Sequence, residues 1–250
     1  MSTERGSIQW NHFKHGLVKM GLDIKSKPKI LELGSGMGEC SLSSIEDGFD
    51  CYGLEVDSNV YVQSQLLFTK NNNHSHQKYI FLYDGDHMPF PTNFFDASIS
   101  WYVIEHIEDI GAVLRELTRV LKSGGLVYFK WQDPKIYYEG HANIPWLPFM
   151  PKYVVKIWCD EFNVPQQKRD YILQFCYNNT IENVSAILQF LGWEILDSSP
   201  MPECVVPQHW QYETESEIRT LARSIKTKME NGEWQNHPNR QFPYLKARKI

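Results

Sequence analysis

The stretch "ILELGSGMGE" (residues 30–39) decides the fold of this 250-residue chain. A short apolar run leads directly into a turn with glycines at positions 34, 36 and 38, and residues 37–47 are predicted to form a helix. Glycine tolerates positive φ and carries no side chain, so a turn of this kind lets a ligand approach the backbone closely. An ordinary strand-to-loop turn would have the same residues. The sequence that follows has to decide between the two.

The composition is that of an ordinary globular protein. Hydrophobic residues make up 42% of the chain, charged residues make up 22%, and the net charge is −5. This acidic balance argues against a nucleic-acid footprint or an anionic membrane surface. We recognise no secretory signal and no stretch that approaches the roughly 20 apolar residues of a membrane span. The five cysteines are scattered without metal-knuckle or redox spacing. We therefore expect a cytoplasmic protein with reduced cysteines.

Strand-like runs alternate with helical stretches through the first half of the chain. The predicted strands are "KILEL" (29–33), "DCYGLEV" (50–56), "KYIFLY" (78–83), "DASISWY" (96–102) and "LVYFKW" (126–131). The segment before the fifth run has apolar residues at three-four spacing, and "SGG" at 123–125 is predicted to end that helix. This alternation predicts an α/β fold, with a doubly wound, mostly parallel, seven-stranded Rossmann-like sheet.

The regular alternation breaks after the fifth strand, which suggests two insertions. Residues 133–179 are aromatic and punctuated by prolines, and we interpret them as a helical lid. Residues 1–132 would then be an N-terminal helix with the cofactor-binding half of the domain, and 180–250 its remainder. A second insertion at 200–242 is predicted to contain a helix near 213–230, and 242–250 a final edge strand.

The glycine turn is predicted to lie where a doubly wound sheet binds its ligand, at the carboxyl ends of the strands. The sixth position of the nicotinamide fingerprint is Glu39 instead of glycine, and Glu32 and Glu39 would repel a phosphate. Glu55 lies 21 positions after Gly34, where an acidic residue accepts hydrogen bonds from ribose hydroxyls. Asp84, at the end of the third strand, could accept from an adenine amino group. A nucleoside with a cationic, phosphate-free tail fits these features, and S-adenosylmethionine is such a ligand.

With these motifs in place, the chain resembles the class I S-adenosylmethionine-dependent methyltransferases, in particular the group that acts in ubiquinone and menaquinone biosynthesis. The matching pieces are "ILELGSGMGE", "YGLEVD", "DGDHMPFPTNFFDASISWYVIEHIED" and "LRELTRVLKSGGLVYF". They cover about residues 28–131 in the order and spacing of that family. The resemblance implies S-adenosylmethionine as the cofactor.

The resemblance also assigns cofactor contacts by position, in four groups. It places a first group around the methionyl part: Glu32, Gly34, Ser35 and Gly36. It places Glu55 on the ribose hydroxyls and Val56 against the adenine. The adenine edge would meet Asp84 and Gly85, and the sulfonium side would meet Ser100 and Trp101.

One departure from the family concerns a metal ion. Some relatives hold a divalent cation with a Glu-x-x-Glu-His motif after the fourth strand. Here Tyr102 stands in place of the first Glu, and Glu105 with His106 makes a poor site for a hard cation. We therefore expect no metal at this motif.

Methyl transfer from a sulfonium is an in-line displacement in which a base is needed only if the acceptor must lose a proton. The main candidates are His141, in "YYEGHANIPW", and His106, with His87 and Glu105 as further possibilities. His141 could equally hydrogen-bond the lid backbone without touching substrate. Aromatic residues are expected to contact the substrate: Tyr102, Trp131, Tyr137, Tyr138 and Trp146.

The sequence thus favours an enzyme that methylates an O, N or C atom of a small molecule or a sugar-containing metabolite. Two alternatives stay open, a non-catalytic S-adenosylmethionine-binding partner or regulatory subunit, and a protein methyltransferase. The absence of a basic groove disfavours RNA as the substrate. "SWYV" stands where an "NPP"-type motif would follow the fourth strand, which disfavours amino methylation of nucleobases or glutamine.

Overall fold

The fold is described from a computed structural model that covers residues 3–71, 76–199, 214–233 and 243–250. The strands are β1 (Lys29–Leu33), β2 (Asp50–Glu55), β3 (Ile80–Leu82), β4 (Phe95–Trp101), β5 (Leu121–Lys130), β6 (Tyr138–Glu139), β7 (Ile144–Pro145), β8 (Trp193–Ser198) and β9 (Tyr244–Lys249). The α-helices are α1 (Glu4–Lys19), α2 (Glu39–Glu46), α3 (Ser58–Lys70), α4 (His76–Tyr79), α5 (Ile110–Val120), α6 (Lys152–Glu161), α7 (Gln166–Phe175), α8 (Ile181–Phe190) and α9 (Glu215–Glu230). Short 3₁₀ helices span Ile24–Ser26 and Ile104–His106.

Seven strands form one mixed sheet, as the sequence predicted, and their order in it is β3-β2-β1-β4-β5-β9-β8. Strands β1 to β5 are mutually parallel, whereas β9 runs antiparallel to both β5 and β8. The prediction that residues 242–250 form an edge strand is therefore wrong, because β9 lies inside the sheet and β8 forms the edge. The alternation within β9 explains this position, since Leu245 and Ala247 are fully buried in the core.

The junction between α5 and β5 also differs from the prediction. The helix ends at Val120, and the strand begins at Leu121, which pairs with Phe95. The "SGG" segment lies in an irregularity of the β4–β5 pairing, with Gly124 at φ 78°, and does not end the helix.

Helices cover both faces of the sheet and enclose two separate cores. One face packs against α5 and α8, and the other packs against α1, α2 and α3. The side chains of β1 alternate between the faces, with Leu31 and Leu33 in the first core and Ile30 in the second. Glu32 points to the same side as Ile30, beneath α2.

The insertion after β5 begins with a two-stranded hairpin, β6–β7, and continues with the predicted helical part, α6 and α7. Its buried residues form a third core together with Ile218, Ala222 and Ile225 of α9. The helix predicted near 213–230 is thus present as α9. Residues 200–213 and 234–242 of the second insertion lie outside the described residues. The division of the chain into domains stays a prediction.

No helix within the described residues is both long and apolar enough to cross a membrane.

Candidate active site

The glycine turn follows β1 at the carboxyl edge of the parallel strands. Its glycines have positive φ, at 68° for Gly34, 53° for Gly36 and 77° for Gly38. A Cβ added to Gly34 would lie 2.3 Å from a methyl carbon of Val103, whereas one added to Gly36 would meet no atom within 4 Å. Gly34 is therefore needed for packing against the loop after β4. Gly36 leaves the open side of the turn bare, as close approach of a ligand requires.

Glu55 fixes this turn to the end of β2. One oxygen of its carboxylate accepts a hydrogen bond from the Gly36 amide at 2.8 Å. The other oxygen accepts from the amides of Val56 and Asp57, at 2.8 and 2.9 Å. The side chain is buried, and these bonds hold a carboxylate rigidly beside the turn, at the predicted ribose position. Each carboxylate oxygen can accept more than one hydrogen bond, which leaves capacity for ribose hydroxyls.

Val56 and Gly85 come together at the ends of β2 and β3. The side chain of Val56 is 58% exposed, and a Cβ on Gly85 would lie 4.0 Å from it. Asp84 is exposed, and its carboxylate accepts from the amides of Asp86 and His87 in its own loop. These backbone hydrogen bonds lower the pKa of Asp84. The loop thus presents an apolar surface and backbone groups at the predicted adenine position.

Other residues of the predicted cofactor set have buried roles. Burial raises the pKa of Glu32 to about 7, although its carboxyl group accepts a hydrogen bond from the Ser41 hydroxyl of α2. The Ser35 hydroxyl is buried and has no hydrogen-bond partner among the described residues. The Ser100 hydroxyl is also buried, and it donates to the Leu33 carbonyl at 3.0 Å. The side chain of Ser100 therefore ties β4 to β1 and does not line a cleft, contrary to expectation.

Trp101 packs against the N-terminal helix. Its ring meets those of His12 and Phe13 edge-on at 5.4 Å, and the Lys130 ammonium lies 4.6 Å from the ring centre. Tyr102 follows at φ 59°, with its ring 5.4 Å from that of Trp101.

A cavity of about 360 Å³ lies under the lid. The residues that matter for its chemistry are Glu105, Gln132, Glu139, His141, Trp146 and Cys176. Two of the predicted residues, His141 and Trp146, therefore line it. Tyr102, Tyr137 and Tyr138 are not part of its wall. The Tyr138 hydroxyl instead bonds the Asn143 side chain within the β6–β7 hairpin.

Trp131 does not line the cavity, contrary to the prediction that it contacts the substrate. It is fully buried in the core beneath α8, and its indole nitrogen donates to the Asn179 carbonyl at 2.7 Å. A large apolar ring at the end of a central strand is buried by the helix that packs on it. The aromatic-rich sequence around Trp131 therefore did not indicate contact with the substrate.

The two predicted catalytic histidines lie side by side at the cavity. Their ring centres are 5.1 Å apart, and the Tyr171 ring lies within 5.4 Å of both. Nδ1 of His141 contacts a Glu139 oxygen at 2.6 Å, and Nδ1 of His106 contacts the Phe175 carbonyl at 2.8 Å. His87, by contrast, is in the exposed loop after β3.

The surroundings perturb several of these groups. Burial raises the pKa of Glu105 to about 7. For His141, burial acts to lower the pKa, but the hydrogen bond and charge of Glu139 outweigh it and the pKa is raised. Burial lowers the pKa of His106, although its hydrogen bond to the Phe175 carbonyl opposes the change. Burial raises the pKa of the Cys176 thiol to about 12.

Sequence reasoning missed Glu139, Tyr171 and Cys176. Glu139 stands two positions before His141, and it could have been found by asking which acid orients that histidine. No comparable local signal marks Tyr171 or Cys176, because α7 reaches the cavity only through the fold of the lid.

Comparison with known proteins supports the geometry. Residues 31–129 match the family model described as a methyltransferase domain. The demethylmenaquinone methyltransferase of Corynebacterium efficiens is 32% identical over 104 residues, which are 42% of this chain and 41% of that protein. The sterol 24-C-methyltransferase of Pneumocystis carinii is 25% identical over 212 residues, which are 82% of this chain and 50% of that protein. The chain thus spans half or less of these two relatives.

Among solved structures, a putative sarcosine dimethylglycine methyltransferase from Galdieria sulphuraria has a TM-score of 0.58 and 13% sequence identity. The alignment covers 100% of this chain and 91% of that one, and it shows a shared fold. The sheet order, the glycine turn and the match over residues 31–129 together make this chain similar to the class I, S-adenosylmethionine-dependent methyltransferases.

Proposed function

We propose that this protein transfers the methyl group of S-adenosylmethionine to a small molecule held in the cavity under the lid. The residues at the turn suit this cofactor. Gly36 leaves open space, Glu55 offers a fixed carboxylate, and Val56 offers an exposed apolar side chain. Bound there, the cofactor would supply an electrophilic methyl group on a positively charged sulfur.

The loop after β4, which contacts the turn at one residue and lines the cavity at another, carries the proposal. The side chain of Val103 lies against Gly34, where an added Cβ would touch it. Glu105, two residues after Val103 in the same loop, lines the cavity. The loop after β4 thus connects the glycine turn with the cavity. An acceptor in the cavity would lie next to the donor, as an in-line displacement requires.

In the proposed reaction the acceptor atom forms a bond to the methyl carbon while the sulfur keeps the electron pair of the broken bond. The protein has to align the two molecules and exclude water. His141 is the residue that we propose to face the acceptor, as a base or as an orienting hydrogen-bond partner, with His106 beside it. A cavity lined by one histidine and two buried carboxyl groups favours an enzyme over a non-catalytic binding partner. Its size favours a small molecule over a protein side chain on a folded surface.

The test is the affinity for S-adenosylmethionine and S-adenosylhomocysteine, measured by calorimetry for the wild type, Glu55→Ala and Asp86→Ala. Asp86 is an acidic residue of the neighbouring exposed loop and serves as the matched control. Removal of charged hydrogen bonds worth about 1.5–3 kcal/mol should weaken binding in Glu55→Ala at least tenfold. Asp86→Ala should bind as the wild type does. A wild type that binds neither compound, or equal affinity in Glu55→Ala, would refute the proposal.

A further inference from the structure

We propose that His106, His141 and Cys176 form a zinc site at the cavity wall. One ligand atom from each of these residues lies within 4.8 Å of the others. The three residues come from separate elements. His106 ends the 3₁₀ helix after β4, His141 lies in the β6–β7 turn, and Cys176 caps the C-terminus of α7.

The hydrogen bonds around the two histidines are those of metal ligands. A histidine that binds a metal generally donates its other ring N–H to a carboxylate or a backbone carbonyl. Here Nδ1 of His141 is 2.6 Å from Glu139, and Nδ1 of His106 is 2.8 Å from the Phe175 carbonyl. With the proton on Nδ1, Nε2 of each histidine keeps the lone pair that binds a cation, and at His106 the ion would replace the contact of Nε2 with the Tyr171 hydroxyl at 3.4 Å.

The charges around the cluster also call for a cation. Glu139 is 1% exposed and Glu105 is 4% exposed. Neither carboxyl group forms an ion pair with Lys or Arg in the part of the chain that the structure describes. One oxygen of Glu105 is buried with no hydrogen-bond partner there. Glu139 contacts His141, so Glu105 is the buried carboxyl group that lacks a partner of opposite charge among the described residues, and a divalent ion at the cluster would supply one.

The donor set selects zinc over magnesium or calcium. Two imidazoles and a thiolate are soft ligands, whereas magnesium and calcium bind oxygen. With Zn–N near 2.0–2.1 Å and Zn–S near 2.3 Å, a tetrahedral site brings its ligand atoms to roughly 3.3–3.6 Å from one another. Binding therefore has to bring the three ligand atoms about 1 Å closer together, with loss of the Cys176 thiol proton to solvent.

Three protein ligands leave a fourth position, as in catalytic zinc sites. His141 and Cys176 line the cavity, so this position is open to it. The role of this fourth position in methyl transfer rests on the proposed function. An acceptor hydroxyl or thiol bound there would lose its proton to solvent and attack the methyl carbon as the anion. The sulfonium sulfur would retain the bonding pair.

The test uses the full chain after removal of metals by dialysis against a chelator, titrated with Zn²⁺ and with Co²⁺ as a spectroscopic probe. The wild type should bind one equivalent of either ion, and the Co²⁺ form should show a thiolate-to-metal absorption band. Cys176→Ser should lose that band, and Glu139→Gln should bind zinc roughly 10–100-fold more weakly because it orients His141. Cys159→Ala, which removes another lid cysteine outside the cluster, should keep both properties.

Absence of stoichiometric zinc binding in the wild type, or an unchanged band in Cys176→Ser, would overturn the metal site. Cofactor affinity measured on the same samples separates this outcome from the proposed function. If the wild type binds S-adenosylmethionine but not zinc, only the metal site is refuted. If it binds zinc but not S-adenosylmethionine, only the methyltransferase proposal is refuted.

Discussion

Glu32 illustrates how the pleat of one strand changes the role of a single residue. Its place beside the glycine turn suggested direct contact with the methionyl part of the cofactor. Because side chains alternate along β1, the carboxyl group points beneath α2 and bonds to Ser41. Burial there raises its pKa to about 7, so that a large fraction is protonated at neutral pH. Glu32 can still act on the cofactor through its charge.

The raised pKa of Glu32 predicts proton-linked cofactor binding. A cationic ligand at the turn favours the ionised form, so binding below pH 7 should release a proton from Glu32. Affinity should therefore rise as the pH increases from about 5 to 7, by at most one log unit per pH unit, and then level off. Calorimetry at pH 6 in two buffers of different ionisation enthalpy measures the protons released. Glu32→Gln should abolish the release, and an unchanged proton count in that variant would contradict the assignment.

At the scale of elements, Glu161 of the lid forms two ion pairs with α9. Glu161, at the end of α6, pairs with Arg219 at 2.7 Å and Arg223 at 2.8 Å. Hydrogen bonds from Arg223 and Arg219 lower the pKa of Glu161 to about 2. Beneath these pairs Ile218, Ala222 and Ile225 pack into the lid core. The second insertion thus contributes a helix to the first.

The depressed pKa of Glu161 predicts that this attachment weakens in acid. Its stabilisation is present above the unfolded pKa of about 4.5 and is lost as the pH falls towards 2. At pH 7, Glu161→Gln should cost about 1 kcal/mol, because solvent screens these pairs, which is roughly 2–4 °C in Tm. Thermal melts followed by circular dichroism should show this difference shrinking below pH 4. Glu215→Gln, which removes a mostly exposed partner of Arg219, should have little effect. An equal loss in both variants would point to a general charge effect.

The elements also show what the sequence could and could not predict. The first five strands lie in adjacent units of strand and helix, so their periodicity and order followed from local pattern. The interior position of β9 could not be predicted in this way. It depends on pairing with β8, and the second insertion separates these two strands in the sequence. At the site, the glycine turn and Glu55 lie at a fixed spacing in the sequence, so local pattern was enough to bring them to attention together. His106, His141 and Cys176 follow one another at intervals of 35 residues, and only the fold of the lid brings them together.

At the scale of the whole molecule, the lid is a unit with its own core that is pinned where it leaves and rejoins the sheet. The Asp133 carboxylate, at its start, accepts from the Ile181 amide at 2.7 Å. The Asn179 amide, at its end, donates to the carbonyls of Ile104 and Ile107 at 2.7 Å. The Tyr177 amide also donates to the Glu105 carbonyl at 2.8 Å. These bonds hold both ends of the lid beside the loop that carries Glu105 and His106, so the cavity depends on lid packing.

This arrangement predicts that the lid can lose its structure while cofactor binding persists. Trp158 is fully buried in the lid core, and its indole nitrogen donates to the Pro145 carbonyl at 2.9 Å. Trp158→Ala removes packing worth about 3–5 kcal/mol, which the small lid core cannot replace. Hydrogen exchange should then accelerate in residues 144–175 and 215–230, while the sheet stays protected.

Methyl transfer in Trp158→Ala should fall, because the acceptor cavity is lost, and S-adenosylmethionine affinity should stay within about twofold, because Gly36, Glu55 and Val56 lie on the sheet body. The matched control is Phe95→Ala, which removes a fully buried ring from the sheet core and should lower both cofactor affinity and overall stability. If Trp158→Ala instead lost cofactor binding and sheet protection together, the lid and the sheet would form one cooperative unit. The cofactor site would then depend on the lid as strongly as the acceptor cavity does.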